Sequence, residues 1–577
     1  MQRRSYSLFA AFAAFLSATA QGCAPARSTS PVTAPSGDER SYSGPPTTAA
    51  ITPGDLKTRL FVFADDSMRG RAAGTADNLR GTAYIEREVR RLGLEPAGDS
   101  GTYFQNVPLT TRAISTDSEV TIDGQRFALA TGFLPRDNGA GMRAIEGATA
   151  VYGGSWEEPA KLIDPGAAAG KVVVITVPKG WAVPRNTLNA HFSTAAAIAI
   201  ASLDRIQQAN LTELLAEAPV RLRRDAAPSP ATPAFMYVSD ALAKSMFGGA
   251  APAALAMGTA GRQVHGKLGY EARLLPARNV VAILRGSDPS HRGQYVALGA
   301  HNDHIRVAPK PVDHDSLRAF NAVVRPEGAE SPEPAVITQA QRVQIRAILD
   351  SLRRLRPPRA DSINNGADDD GTGSMGVLEI AESFVKAKVR PRRSLLFVWH
   401  TGEELGLLGS SYFTDHTTVP RDSIVTQLNI DMIGRGTATD MANIKNGRPV
   451  FGSPTYVEVI GSRRLSTQLG DLIEEVNRKQ STPLSFDYDL DANGEEHQYY
   501  CRSDHYMYAR YGIPITFFFT GVHRDYHQVT DEPQYIDYPH YARIVNLVRD
   551  IAQRVADLDH RPLVDKPKPN PRGSCVQ

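Results

Sequence analysis

The sequence predicts an α/β protein with a mixed central sheet flanked by helices and a smaller β-rich domain inserted into it. Three observations carry that expectation. A helical pattern precedes the middle of the chain, and strand-like apolar runs alternate with helical periodicities from Asn279 onward. Four of the runs end at or shortly before a His, Asp or Glu, which lines those groups along the carboxyl edge of a sheet, where open α/β folds build their sites. Between about Ser118 and Leu275 the helical period gives way to short β-like runs broken by Gly, Pro and Ala.

The first residues read as an export signal. Arg3-Arg4 precede an apolar stretch from Leu8 to Leu16, and Ala18-Thr19-Ala20 supplies small residues at a signal-peptidase spacing. Ala20-Gln21-Gly22-Cys23 is similar to a bacterial lipobox, with alanine in place of leucine. Two routes stay open, cleavage after Ala20 or lipid attachment at Cys23. The Ser/Thr/Pro/Gly-rich stretch that follows suits a flexible tether over 23–50 and favours the lipoprotein. The expectation is an exported protein, periplasmic, membrane-anchored through Cys23 or secreted, with residues 1–22 as signal peptide.

At 577 residues the chain exceeds a single core, and 42% hydrophobic with 22% charged residues is the balance of a globular protein. A net charge of +2 gives no global field towards nucleic acid. The three cysteines, Cys23, Cys501 and Cys575, form no disulfide framework and no thiolate metal site. Cys501 and Cys575 are equally read as a pair or as two free thiols.

From Thr52 to Leu94 the pattern is helical, with Leu56, Leu60 and Phe63 on one stripe and Ala83, Tyr84, Val89 and Leu92 on another. Met68–Thr75 between them is a turn-rich loop, which spacing alone makes a plain connection. Residues 51–117 are taken as the first part of the catalytic domain, 118–275 as the inserted domain and 276–562 as the remainder. After Asp303 a long polar excursion runs to Asp361, with a helix expected over Gln339–Leu355; its length and place suggest a lid or rim. Gly373 opens a helix with Val377, Ala381, Phe384 and Val385 on one face, and Ile544, Val548, Ile551 and Val555 mark a closing helix. The proline-rich tail, 563–577, is expected to be disordered.

The chemistry lies in five places. Tyr295–Ala300 delivers His301-Asn302-Asp303. Gly366–Gly373 is an acidic, flexible loop around Asp368-Asp369-Asp370. Leu395–Trp399 leads to Gly402-Glu403-Glu404, Leu428–Ile430 to Asp431, and Phe517–Phe519 to Asp525-Tyr526-His527. Imidazole and carboxylate donors suit catalytic divalent ions, and a pair of such ions needs a shared carboxylate. Any one segment is weak, since acidic triplets are usually solvated loops. Five in apolar context and in this order outweigh that.

These segments resemble the zinc metallopeptidase family of aminopeptidase Y, bacterial leucyl aminopeptidases and glutamate carboxypeptidase II. The matching motifs are His-x-Asp, Gly-Ala-Asp-Asp-x-x-Ser-Gly (here with Thr372), Gly-Glu-Glu-x-Gly-Leu-x-Gly-Ser, Asp-Met and Asp-Tyr-His. Gly70–Thr75, Ser503-Asp504-His505 and Gly512-Ile513-Pro514 are also similar to family segments, and 118–275 resembles a protease-associated domain. The resemblance implies a phosphorylase/hydrolase-like exopeptidase fold with two zinc ions per chain. One would be held by His301, Asp369 and Asp431, the other by Asp369, Glu404 and His527, with Asp369 bridging and a cis peptide following it. Asp303 would support His301, and Glu403 would be the general base. His304, His400, His505 and His523 have no place in that ligand set and are read as supporting or structural. The implied function is an aminopeptidase acting on peptides. The alternatives are a carboxypeptidase or dipeptidase, a glutaminyl cyclase with a single zinc, and a catalytically silent receptor or binding module.

Overall fold

A nine-stranded mixed sheet forms the centre of the larger part of the chain. The computed structural model describes residues 41–136, 141–180, 182–223, 232–438, 440–445 and 448–577. The signal sequence, Cys23 and most of the expected tether lie outside the described residues. The sheet comprises β1 (Glu95–Pro96), β2 (Phe104–Asn106), β3 (Arg278–Leu284), β4 (Tyr295–His301), β5 (Ser394–His400), β6 (Ile424–Ile430), β7 (Tyr456–Ile460), β8 (Ser485–Asp487) and β9 (Ile515–Phe519). Their order is β1-β3-β5-β4-β6-β9-β7-β8, with β2 also paired to β3. β5, β4, β6 and β9 are mutually parallel, and antiparallel pairs β3–β5 and β9–β7 flank them. β4, β5, β6 and β9 are buried at every position, which is why they read as unbroken apolar runs rather than alternating ones.

Helices cover both faces. α1 (Pro53–Phe63), α2 (Ala76–Arg91), α5 (Gly373–Val385) and α7 (Tyr538–Ala556) share one apolar core with the sheet. On α2 the buried stripe is Tyr84, Ile85 and Val89 rather than one through Ala83, which is half-buried. α5 buries Val377, Leu378, Ile380, Ala381 and Phe384 around most of its circumference, so one face understates it. Arg59 of α1 is buried against Glu379 and Glu382 of α5, its Nε 2.5 Å from Glu379, fixing the two helices together. On the far face of the sheet, β9 and α6 (Leu408–Asp415) contribute Phe517, Phe519 and Phe413 to a second core.

Residues 119–268 build a separate eight-stranded sheet with apolar clusters on its two faces. The chain leaves and re-enters along one antiparallel pair, Leu109–Ile114 with Tyr270–Leu275. Where the pair closes, the Val107 amide donates to Ala277 O at 2.9 Å, so the two connections run side by side.

The excursion after Asp303 is structured. α3 (His314–Val324) packs on α4 (Gln339–Leu355), which starts in a capping box made by Thr338 and Gln341. Ile345, Ile348 and Leu352 of α4 are half-buried, whereas Val343 is exposed. The tail, expected to be disordered, is docked instead. A disulfide joins Cys575 to Cys501, Gln577 donates to Leu490 O at 2.6 Å, and the Asp565 amide donates to Leu465 O at 3.1 Å. A proline-rich stretch forms no helix or strand, but these pairings anchor it. Among the described residues, no helix is long and apolar enough to cross a membrane.

Candidate metal centre

The four parallel strands end at one edge, and the expected side chains meet there. His301 closes β4, Asp431 follows β6, and Glu403-Glu404 follow β5 after a short turn. His527 comes from the loop after β9, and Asp369 from the loop that leads into α5. His301 Nε2 lies 3.1 Å from Asp369 Oδ1 and 3.7 Å from Asp431 Oδ1. His527 Nε2 lies 2.9 Å from Asp369 Oδ2 and 3.0 Å from Glu404 Oε2. Two donor groups result, each with its atoms within 4.8 Å of one another: His301, Asp369 and Asp431, and His304, Asp369, Glu404 and His527. Asp369 belongs to both. The five residues fall into the two sets that the resemblance implies, and His304 joins the second.

The acidic triplet is buried, not solvated, because each carboxylate has a separate task. Asp370 turns away from the cluster: it accepts from the His301 amide at 2.9 Å and the Gly373 amide at 2.8 Å, tying the end of β4 to the start of α5. Asp368 accepts from the Gly434 amide at 2.7 Å and from the Thr372 hydroxyl at 2.8 Å, so Thr372 serves where the family pattern has serine. The Asp369-Asp370 peptide is cis, and Asp369 is the member of the triplet that faces both His301 and His527. Beneath the loop, the Asp531 carboxylate accepts from the amides of Asp368 and Asp369, both at 3.1 Å through Oδ2.

Asp303 stands beside His301 but not as expected. Its main-chain carbonyl, not its carboxylate, pairs with His301 Nδ1 at 3.0 Å; the nearer carboxylate oxygen is 3.8 Å away. That carboxylate instead accepts from the Glu403 amide at 3.2 Å, so it positions Glu403. Ser503 donates to Asp431 Oδ2 at 2.7 Å and receives from Asn429 at 2.9 Å, which fixes the carboxylate's rotamer. Arg71 passes under the bridging loop and donates to Asn365 O at 2.7 Å and Gly366 O at 2.9 Å, so the Met68–Thr75 segment is more than a connection.

Four carboxylates converge with little water. Burial would push the Asp369 carboxyl up, but the ion pairs with His301 and His527 win and hold it well below the usual range. Burial lowers His527, and the same carboxylates overcome this and push it up to about 11. Burial, reinforced by repulsion from Glu404 and Asp431, drives the Glu403 carboxyl well above its ordinary value against the pull of His301. Burial pushes Asp303 up to about 7. The cluster therefore demands positive charge between the carboxylates.

A donor set of imidazole nitrogens and carboxylate oxygens fits borderline divalent ions. The orphaned atoms fit as well: His527 Nε2 and Glu404 Oε1 are buried without a hydrogen-bond partner, because the close approaches are not aligned for donation. A small cavity opens on the cluster, with Met432, Tyr499, Phe517, Phe519, Val522 and Tyr526 as apolar walls and Arg502 at one side.

The sequence profile of Peptidase family M28 matches residues 279–552. Residues 279–552, just under half of the chain, are thus similar to peptidase family M28. That segment holds every donor of both groups, while the parts before it supply Arg71 and the inserted domain. The chain is 34% identical over 116 residues to leupeptin-inactivating enzyme 1 of Streptomyces exfoliatus, covering 18% of this chain and 26% of the relative. It is 36% identical over 98 residues to a probable leucine aminopeptidase of Arthroderma otae, covering 16% and 27%. The chain thus spans less than a third of the length of either relative. A solved zinc aminopeptidase from Bacillus subtilis aligns over 90% of this chain and 100% of its own, with 15% identity and a TM-score of 0.41.

Of the supporting residues, Ser503 lies in a segment singled out in the sequence, and Arg71 in another. Asp531 carries no separate signal in the sequence, Asp370 belongs to the acidic triplet without a role of its own, and His304, next to Asp303, reads only as supporting or structural.

Proposed function

We propose that the protein is an exported di-zinc aminopeptidase that removes N-terminal residues from peptides. The observation that supports this most is the sharing of Asp369 between two donor groups with the Glu403 carboxylate beside one of them, its Oε2 4.0 Å from His301 Nε2. His301, Asp369 and Asp431 would hold one zinc ion, and Asp369, Glu404 and His527 the other. Zinc at these positions supplies Lewis acidity towards a peptide carbonyl and lowers the pKa of water.

The chain's own groups do the rest. Glu403, placed by its amide on Asp303, takes a proton from the attacking water and returns it to the leaving amine. Its raised pKa reflects a buried carboxylate among like charges, and a bound cation would offset that. Ser503 holds Asp431, and Asp531 and Arg71 hold the bridging loop, so the donors are preorganised. The apolar walls of the cavity suit an apolar side chain next to the cleaved bond.

Export rests on the N-terminal sequence and gains support from the Cys501–Cys575 disulfide, which belongs to an oxidising compartment. Attachment through a lipid on Cys23, and a protease-associated role for residues 118–275, belong to the same proposal. Arg502 in the cavity wall is the observation that favours a carboxypeptidase or dipeptidase, since a guanidinium suits a substrate carboxylate. Its pairing with Glu330 keeps that reading second. A silent binding module is disfavoured because both donor groups and Glu403 are in place.

A panel of free-amine, N-blocked and C-terminal-reporter peptides, assayed with and without chelator, tests the proposal. Cleavage confined to free-amine substrates and abolished by chelation is expected. Cleavage of N-blocked peptides from the carboxyl end would replace the aminopeptidase with the second reading.

A further inference from the structure

His304 stands apart from the other histidines near the motifs. His400 Nε2 lies 3.0 Å from the Tyr508 hydroxyl, His505 Nε2 2.8 Å from Tyr500 O, and His523 Nε2 3.1 Å from Asp368 Oδ2. His304 is fully buried, yet neither of its ring nitrogens has a hydrogen-bond partner. Buried polar groups rarely stay so. Its Nδ1 is 2.8 Å from Glu404 Oε1 and 3.7 Å from Asp369 Oδ2. Glu404 Oε1 is also without a partner, so the short approach is not a hydrogen bond. His527 Nε2 shows the same pattern, close to two carboxylate oxygens and bonded to neither. Donor atoms that converge on one point without bonding each other mark a coordination shell. The fold also makes room for the ring: a Cβ on Gly366, whose φ is +54°, would sit 2.5 Å from His304 Cγ.

We propose that His304 Nδ1 is a fourth protein ligand of the cation held by Asp369, Glu404 and His527. The inference rests on the two-cation reading above and goes beyond its five ligands. It makes the two positions unequal. Four protein donors close a tetrahedral site, whereas three leave room for water and substrate. The position of His301, Asp369 and Asp431 is then the open one. Two independent features agree. Glu403 lies beside His301, and the cavity is walled by His301, Asp431 and Glu403 together with Asp369 and Glu404, but by neither His304 nor His527. A cation held at the His304 position would therefore be the tighter, anchoring one, and His301, Asp369 and Asp431 would leave theirs open to water and substrate.

The test uses the full chain, with Zn²⁺ affinities from chelator competition and Co²⁺ visible absorption as a report on coordination. Wild type is compared with His304→Ala and His304→Asn. Asparagine keeps a hydrogen-bond donor near the place of Nδ1 but is a poor ligand, so it rescues an outer-sphere role and not a ligating one. In both variants one equivalent is expected to weaken by more than ~100-fold, beyond the 10–100-fold typical of outer-sphere partners. The other equivalent stays bound and certifies the fold, and the Co²⁺ spectrum changes for the weakened one alone. Wild-type affinity and spectrum in His304→Asn, or in both variants, would overturn the proposal while leaving the two-cation reading intact. Failure of the wild type to bind Zn²⁺ or Co²⁺ would instead sink that reading, and this inference with it.

Discussion

Arg71 and Gly366, 295 positions apart, are joined by a guanidinium–carbonyl hydrogen bond of 2.9 Å directly beneath the loop that carries Asp369. The same side chain donates to Phe63 O at 2.9 Å and Asn365 O at 2.7 Å, and it is wholly buried. Burial opposes the guanidinium's charge and lowers its pKa to about 10, even with Asp531 and Asp303 pulling the other way. Arg71→Met fills the space but leaves the buried carbonyls of Phe63 and Asn365 unpaired, while Gly366 O keeps the Gly371 amide at 3.1 Å. At about 1–3 kcal/mol for each unsatisfied group, a loss of about 2 kcal/mol or more is expected in urea unfolding. Unchanged stability would show that water or neighbouring amides take over.

Glu403→Gln keeps the shape of the side chain and the Asp303 contact, which is made by the main-chain amide. It removes the proton acceptor. The variant should retain wild-type zinc content and lose kcat by at least ~10²-fold, the lower range for general acid–base catalysis. Near-normal turnover would move the base elsewhere.

The loop that delivers His527 hangs on ion pairs. Asp525 Oδ2 is 3.0 Å from Arg435 Nη1, and Asp525 Oδ1 is 3.4 Å from Arg318 Nε of α3. Asp525 is buried, and although burial opposes it, Arg318, Arg435 and Arg524 hold its carboxyl well below the usual range. Asp525→Asn leaves Arg435 with Asp440 and loosens the loop. Zinc affinity at the His527 position should fall about 10–100-fold, the cost typical of a partner one step from the metal. An equal fall at both positions would point to general unfolding instead.

The donors themselves could be read from the sequence because each one closes or follows an apolar run whose burial its composition reveals, as His301 does after Tyr295–Ala300. Their partners could not. Asp531 reaches the amides of residues 368 and 369 across more than 160 positions, and Arg71 reaches the same loop from the opposite end of the chain. Nothing local distinguishes such an Asp or Arg from a surface charge. The two-residue strand β1 and the tail fail for the same reason, since distant pairing rather than propensity orders them. His304 illustrates a different limit. A motif match assigns roles only where the pattern has a place, and the fourth donor has none.

Glu458 offers a test of pH-dependent stability away from the metal centre. It is fully buried in β7 and accepts from the Tyr456 hydroxyl at 2.6 Å. Burial, with Asp487 and Asp489 adding to it, raises its pKa to about 8. In the unfolded chain a glutamate titrates near 4.3. The folded protein therefore binds this proton more tightly, and the stability it contributes is complete below about pH 4.3 and is lost as the pH climbs to about 8. The slope from one such group is at most ~1.4 kcal/mol per pH unit. Glu458→Gln stays neutral throughout and still accepts from Tyr456. Urea midpoints measured from pH 5 to about 9 should show wild type losing ground steadily to the variant, with no further change in the gap above about pH 8. Parallel curves across that range would mean that Glu458 is ionised in the fold, stabilised by some group other than Tyr456.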